Sequence, residues 1–342
     1  MAPFKSSLAR SAGKLLGVFK EADLSLRGDL QSSRHIVPPF SATGGNIANA
    51  LAPGNGYKYH TFGTDGNFVV SGQPVIVDIL IVAGGGAGGN DRGAGGGGGG
   101  IVHHSSLSLL IGTYAVAVGN GGAQPSTSDV RGANGTDSSF ASSPSPVYLE
   151  SKGGGGGGCN SSDDDGNPGG SGGGANYNGD PGPSIQAPQN SPFSGASGFN
   201  QYGNAGGQGS GGAKYTSAGG GGAGGVGANG PTGTGGGGAG GNGQPFSVFT
   251  GPLIGVPALN PFSGVYGGGG GASVGSENAY NGPISPAGTG GPGGGGAGGP
   301  ETGNGTAGTQ YSGGGGGGGH KAPANTRGGA GGDGIVIIRY SV

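Results

Sequence analysis

The sequence predicts a mainly-β fold, in which a β scaffold carries an inserted bundle of polyglycine-II helices, preceded by a short N-terminal helix or extended arm. Three observations predict it. Glycine supplies 100 of 342 residues and is gathered in dense runs almost free of charge. Short apolar segments of strand character frame those runs. Residues 1–40 have a basic composition unlike anything that follows.

Glycine loses more backbone freedom on ordering than any other residue, so a chain this rich in it stays disordered unless something offsets that loss. Disordered chains are usually charged, and flexible linkers alternate Gly with Ser. Here only 9% of residues are charged, and Gly95–Gly100 and Gly313–Gly319 are pure glycine. The same runs break the Gly-X-Y triplet of collagen. A helix with three residues per turn and no internal hydrogen bonds turns its N–H and C=O groups outward. When the side chains are hydrogen atoms, neighbouring copies approach closely enough to bond one another, which satisfies the buried backbone. Interior helices are then expected to be glycine on all sides, as in Gly313–Gly319. Peripheral ones admit Ala, Asn, Ser or Thr, as in Gly203–Gly212. A net hydrogen bond contributes only about 1 kcal/mol, so hydrophobic strands must hold the bundle together.

The elements follow in order. Residues 1–40 hold Lys5, Arg10, Lys14, Lys20, Arg27 and Arg34, and Leu8, Leu15, Leu16 and Phe19 fall on one helical stripe. So short a helix is marginal alone, which points to an anchor that docks on a larger assembly. Residues 41–56 read as a Gly/Ala/Asn/Pro linker. Tyr57–Phe62 and Phe68–Val70 read as strands joined in a hairpin through Asp65-Gly66. Val75–Val82, apolar except for Asp78, suits a strand buried on both faces. Ser108–Val118 supplies a further strand and Gly334–Tyr340 the last. Pairing the first strands with the last would close one domain over 57–342. Glycine tracts fill 84–333 at irregular spacing, which excludes a solenoid of fixed period.

Several functions are disfavoured by the residues present. A net charge of −2 gives no electrostatic reason to bind nucleic acid. No apolar run approaches the 18 residues of a membrane span, so no membrane insertion is expected. Gly84–Gly89 satisfies G-x-G-x-x-G, but neither a helix nor an acidic residue follows where a dinucleotide site needs them. His103 and His104 lack paired ligand spacing and read as exposed or loop-packed. Asp163-Asp164-Asp165 lacks the spacing of an EF-hand and reads as an acidic surface loop. The single cysteine, Cys159, has no nearby base and reads as an inert thiol. The chain is therefore expected to be no enzyme and to use no metal or cofactor. Binding falls to loops on a rigid scaffold. The loop aromatics Tyr177, Phe193, Phe199, Tyr202, Phe246, Phe249, Phe262, Tyr266 and Tyr280 either contact a receptor or plug the helix ends.

Three motifs carry a family resemblance. The first runs through Tyr57-Lys58-Tyr59-His60-Thr61-Phe62, Gly66-Asn67-Phe68-Val69-Val70 and Val77–Gly86. The second is Tyr114–Gly122 and the third Gly331–Tyr340. Together they resemble the opening, second and closing strands of phage glycine-rich domains. Met1–Phe4 and Asp23–Asp29 are similar, over a shorter stretch, to the starts of structural proteins of marine cyanophages. The resemblance implies a β-sandwich scaffold with inserted polyglycine-II helices, in a virion protein of tail-fibre or adhesin type. Residues 1–40 would hold it to other virion proteins, and its glycine-rich domain would meet a glycan or protein of the host surface. A capsid decoration or head-fibre protein and an ice-binding bundle stand as alternatives, and a homotrimer is left open.

Overall fold

A computed structural model of the chain describes residues 38–127, 129–142, 148–160, 163–186, 199–211, 215–232, 236–257, 259, 264–275, 286–301, 303–320 and 326–342. Strand makes up 27% and helix 2%, so the fold is mainly β. The expected anchor, with Leu8, Leu15, Leu16 and Phe19, lies outside the described residues, as do Phe193, Phe262 and Tyr280.

Two antiparallel sheets form the scaffold. One has five strands in the order β1 (Ser41–Thr43), β4 (Gly66–Ser71), β7 (Gly112–Ala117), β8 (Ser138–Ser142) and β9 (Tyr148–Ser151). The other has six, in the order β10 (Phe199–Tyr202), β6 (Ile101–Leu109), β5 (Val75–Val82), β13 (Ile335–Ser341), β3 (Tyr57–Phe62) and β2 (Ala48–Leu51). The C-terminal β13 sits between β3 and β5, with Val336 opposite Phe62 on one side and Ile81 on the other. The first and last strands thus close the domain, as their apolar runs predict.

Strand alternation sends the side chains of the six-stranded sheet to two cores. Ile79, Ile81, Val336 and Ile338 are buried on the face toward the five-stranded sheet, which contributes Phe68, Val70, Tyr114, Phe140 and Leu149. Leu80, Val82, Ile101, Ile335, Ile337 and Tyr59 face the other way. A second core forms there under Phe246, Phe249, Ile254 and Tyr266, which come from the segment holding β11 (Gln244–Pro245), the short helix α1 (Gly251–Ile254) and β12 (Val265–Tyr266).

Beyond the strands the chain continues as glycine helices. Strand β5 runs into helix 83–90, which turns at Asp91-Arg92 and returns as helix 93–100 into β6. Their hydrogen bonds repeat every third residue. In helix 93–100, Gly93, Gly96 and Gly99 donate to Gly319, Gly316 and Gly313, while Ala94, Gly97 and Gly100 donate to Gly158, Gly155 and Lys152. Gly95 and Gly98 donate to Ala218 and Gly221. Its carbonyls accept from three other helices, through Gly86, Gly174 and Gly270 among their donors. Three neighbours that accept and three that donate make a hexagonal lattice of polyglycine-II helices. Each interior N–H finds a carbonyl one helix away.

The lattice corrects one expectation. Gly313–Gly319 is buried throughout and Gly203–Gly209 is partly exposed, but interior helices also carry the fully buried Ala87, Ala94 and Ala272. Glycine is still obligatory where backbones meet. A Cβ on Gly96 would overlap the Gly86 carbonyl oxygen, well inside contact distance.

Three further expectations fail. Tyr57–Phe62 and Phe68–Val70 form no hairpin, because β3 and β4 belong to opposite sheets. The chain arches between them, and Asp65 Oδ1 accepts the Val118 N–H at 2.9 Å instead of serving a two-strand turn. Residues 41–56 are no linker, because β1 pairs with β4 and β2 with β3, burying Ala42 and Ala48. Ser108–Val118 is not one strand, since it divides between β6 and β7 at the exposed Leu110 and Ile111.

Candidate functional site

The loops joining glycine helices lie at two levels, a base beside the sheets and a distal tip. Helix 83–90 fixes the distance, because eight residues at 3.1 Å each carry its turn about 25 Å from the strand end. Shaft positions are mostly glycine and alanine, so large side chains reach solvent chiefly at the loops.

The expected receptor aromatics divide between these levels. Phe246, Phe249 and Tyr266 are at the base and buried, at 7%, 0% and 1% exposure. They close the outer core of the six-stranded sheet, and the Tyr266 hydroxyl donates to the Phe249 carbonyl. They are plugs, and the receptor reading is corrected for them. Phe199 and Tyr202 lie on the edge strand β10, packed against His104 at 4.4 Å and Phe246 at 5.7 Å between ring centroids. Tyr177 alone of the described group is at the tip.

The tip has a centre that the aromatic pattern missed. Asp91 and Arg92 form the turn between two interior helices, at φ 47° and 57°. Tyr177 and Tyr215 also sit in the left-handed region, at φ 36° and 43°. Such backbone costs a non-glycine residue about 1–3 kcal/mol, and it persists only where surrounding contacts hold it. The contacts are present. The Arg92 carbonyl accepts from Asn176 Nδ2 at 3.0 Å and from Ser217 Oγ, and the Asp91 carbonyl accepts from the Asn160 N–H at 3.3 Å. The Arg92 guanidinium lies 5.2 Å over the Tyr215 ring, and Tyr215 packs on Tyr177 at 4.5 Å. The sequence does carry a signal for this centre, since Asp91 and Arg92 are the only charges between Asp78 and Asp129.

A second polar cluster is structural. Asp78 on β5 accepts from His103 Nε2 at 2.8 Å and from Arg339 Nε and a terminal nitrogen at 2.8 and 2.7 Å. Burial pushes the Asp78 carboxyl up, but those hydrogen bonds and charges outweigh it and hold the group below its ordinary range. Arg339 also stacks over Tyr57 at 4.3 Å. His103 and His104 are therefore neither exposed nor on a loop. Both stand on β6, one paired with Asp78 and the other against Phe199.

Asp163 and Asp165 are exposed, and Asp165 Oδ1 accepts the Asp180 N–H. Cys159 is buried. Among the described residues no group of three His, Cys, Asp or Glu is placed to hold a metal, and no helix is long and apolar enough to cross a membrane. A family profile described as a glycine-rich domain matches residues 61–341. No curated protein is significantly similar to the chain.

Proposed function

From the premise that the chain belongs to the glycine-rich domain family, we propose that it is a bacteriophage virion protein of tail-fibre or adhesin type. Its tip would meet a glycan or protein of the host surface. The observation that supports this most is the separation of roles along the bundle. Strands and buried aromatics hold the base, the shaft is mostly glycine and alanine, and the Arg92, Tyr177 and Tyr215 side chains stand at the far end. A rigid scaffold that holds aromatic and cationic side chains at its tip suits contact at a distance, because ordering costs are met before binding. Residues 1–40 would join it to other virion proteins.

The test is competition. Purified chain should block adsorption of virions to their host, and the double variant Tyr177→Ala, Tyr215→Ala should block markedly less while melting as the parent does. Antibody against residues 41–342 should label the tail or fibre tips in electron micrographs. Label over the capsid, with no competition, would replace this reading by a decoration protein.

A further inference from the structure

Arg92 and Arg339 are both largely buried, and they differ in one respect. Arg339 has a carboxylate partner in Asp78, whose Oδ2 accepts from both its Nε and a terminal nitrogen, and it reaches the Tyr59 hydroxyl at 3.5 Å. Arg92 is 9% exposed, and among the described residues no carboxylate forms an ion pair with it. Its Nε is buried without an acceptor, and Asn176, fully buried beside it, has a side-chain oxygen without a donor. Among the described residues, the Arg92 guanidinium has a cation–π contact with Tyr215. A buried charge is costly unless it is paired and hydrogen-bonded. The left-handed backbone of Asp91 and Arg92 adds a local cost in the same turn. The fold thus holds a guanidinium in place at the centre of the tip with no counter-ion among the described residues.

We propose that Arg92 is the cation of an oxyanion site at the distal tip, and that the ligand is an acidic sugar of the surface polymer that the tip contacts. The guanidinium fork suits a planar carboxylate or a phosphate bidentately. Asn176 Oδ1 leaves a second polar atom unpaired beside the same turn. This rests on the tip being the receptor-contact end.

The experiment uses the full chain labelled with nitrogen-15 and follows the Arg92 Nε–Hε signal. The probes are D-glucuronate, D-glucose 6-phosphate and D-glucose. A saturable shift with either acid and none with glucose is expected, and the acid that binds tells a carboxylate from a phosphate source. Arg92→Lys keeps the charge, loses the fork and should weaken binding about tenfold or more, with the melting temperature unchanged. Arg92→Gln should abolish it. No shift with either acid, an equal shift with glucose, or unchanged binding by Arg92→Lys overturns the proposal. If the chain blocks adsorption yet takes up neither acid, the site falls and the receptor reading stands. If it takes up acid through Arg92 yet blocks nothing, the site stands and that reading falls.

Discussion

The side-chain oxygen of Asn134 accepts the Gly156 N–H at 2.9 Å. Three residues along the same helix, Asp137 Oδ1 accepts the Gly153 N–H at 2.8 Å. One turn of a polyglycine-II helix is three residues, so both acceptors face the same neighbour. They stand where a further helix would otherwise supply a carbonyl. Asp333 does the same for Gly121, Asn229 for Gln208 and Asn304 for Arg327. Asn and Asp at the rim thus substitute for missing lattice members.

Replacing Asn134 by Ala removes one such acceptor and should cost about 0.5–1.5 kcal/mol. Asn134→Asp keeps the oxygen and should cost less. Hydrogen exchange localises the effect. The Gly156 amide should exchange faster in Asn134→Ala, while Gly155 and Gly157, bonded to Ser171 and Ala87, keep their protection. Uniform loosening of all three would show that the rim acceptor has no local role.

Interior and peripheral glycines should differ sharply. A Cβ on Gly96 runs into the Gly86 carbonyl, whereas on Gly225 its nearest atom is the Asn242 nitrogen at 3.6 Å, an ordinary contact. Gly96→Ala should destabilise by about 1–3 kcal/mol or more, because the backbones on either side are themselves locked. Gly225→Ala should be neutral or slightly stabilising through the unfolded chain. Thermal melting of the two variants decides it, and similar melting points would contradict close packing around Gly96.

The strands that enclose the domain were legible because their apolar runs are long, and the bundle because Gly95–Gly100 and Gly313–Gly319 admit few other structures. The arch at Asp65-Gly66 was not. A turn-forming pair reports a reversal of the chain, and a reversal between two sheets uses the same residues as one within a sheet. Residues 41–56 read as a linker because β1 and β2 are short edge strands whose buried members are alanines. Phe246, Phe249 and Tyr266 were misread for a reason visible in β5. A strand apolar on both faces needs a cover on each, and with one sheet on one side the loop aromatics must supply the other. Arg92 was hidden by its company, since one charge pair among glycines looks like a solubilising turn until its burial is known.

Asp78 should be the most sensitive charge in the scaffold. Its side chain and that of Arg339 are each 12% exposed, so Asp78→Val leaves a nearly buried guanidinium with only the Tyr59 hydroxyl and aromatic rings. Breaking such a pair from one side costs about 3–5 kcal/mol. The double variant Asp78→Val, Arg339→Val removes both charges and should recover a large part of that loss. A double variant at least as unstable as the single one would mean that the pair is worth more than the apolar packing replacing it.

Two histidines make stability depend on pH. His60 lies between the sheets, edge-on to Phe68 at 5.0 Å. Its Nδ1 is 2.7 Å from the Gly44 carbonyl, which can only accept, so that nitrogen carries the proton and Nε2 accepts from the Tyr340 hydroxyl. In His104 the roles reverse, because Nδ1 accepts the Ser106 N–H. Burial lowers both pKa values below the ordinary 6.5, with the charge of Lys58 adding for His60 and that of His103 for His104. The unfolded chain therefore takes up protons first as pH falls. Stability should be full above about 6.5 and decline below it, by at most about 1.4 kcal/mol per pH unit for each group. Asp78, whose pKa is lowered from 3.8, adds a separate loss at lower pH still. Urea unfolding at pH 8, 7, 6 and 5 measures the first decline. His60→Asn should make the profile shallower between pH 6.5 and 5. A profile flat over that range in the parent chain, or stability rising toward acid, would show that neither imidazole is held neutral by the fold.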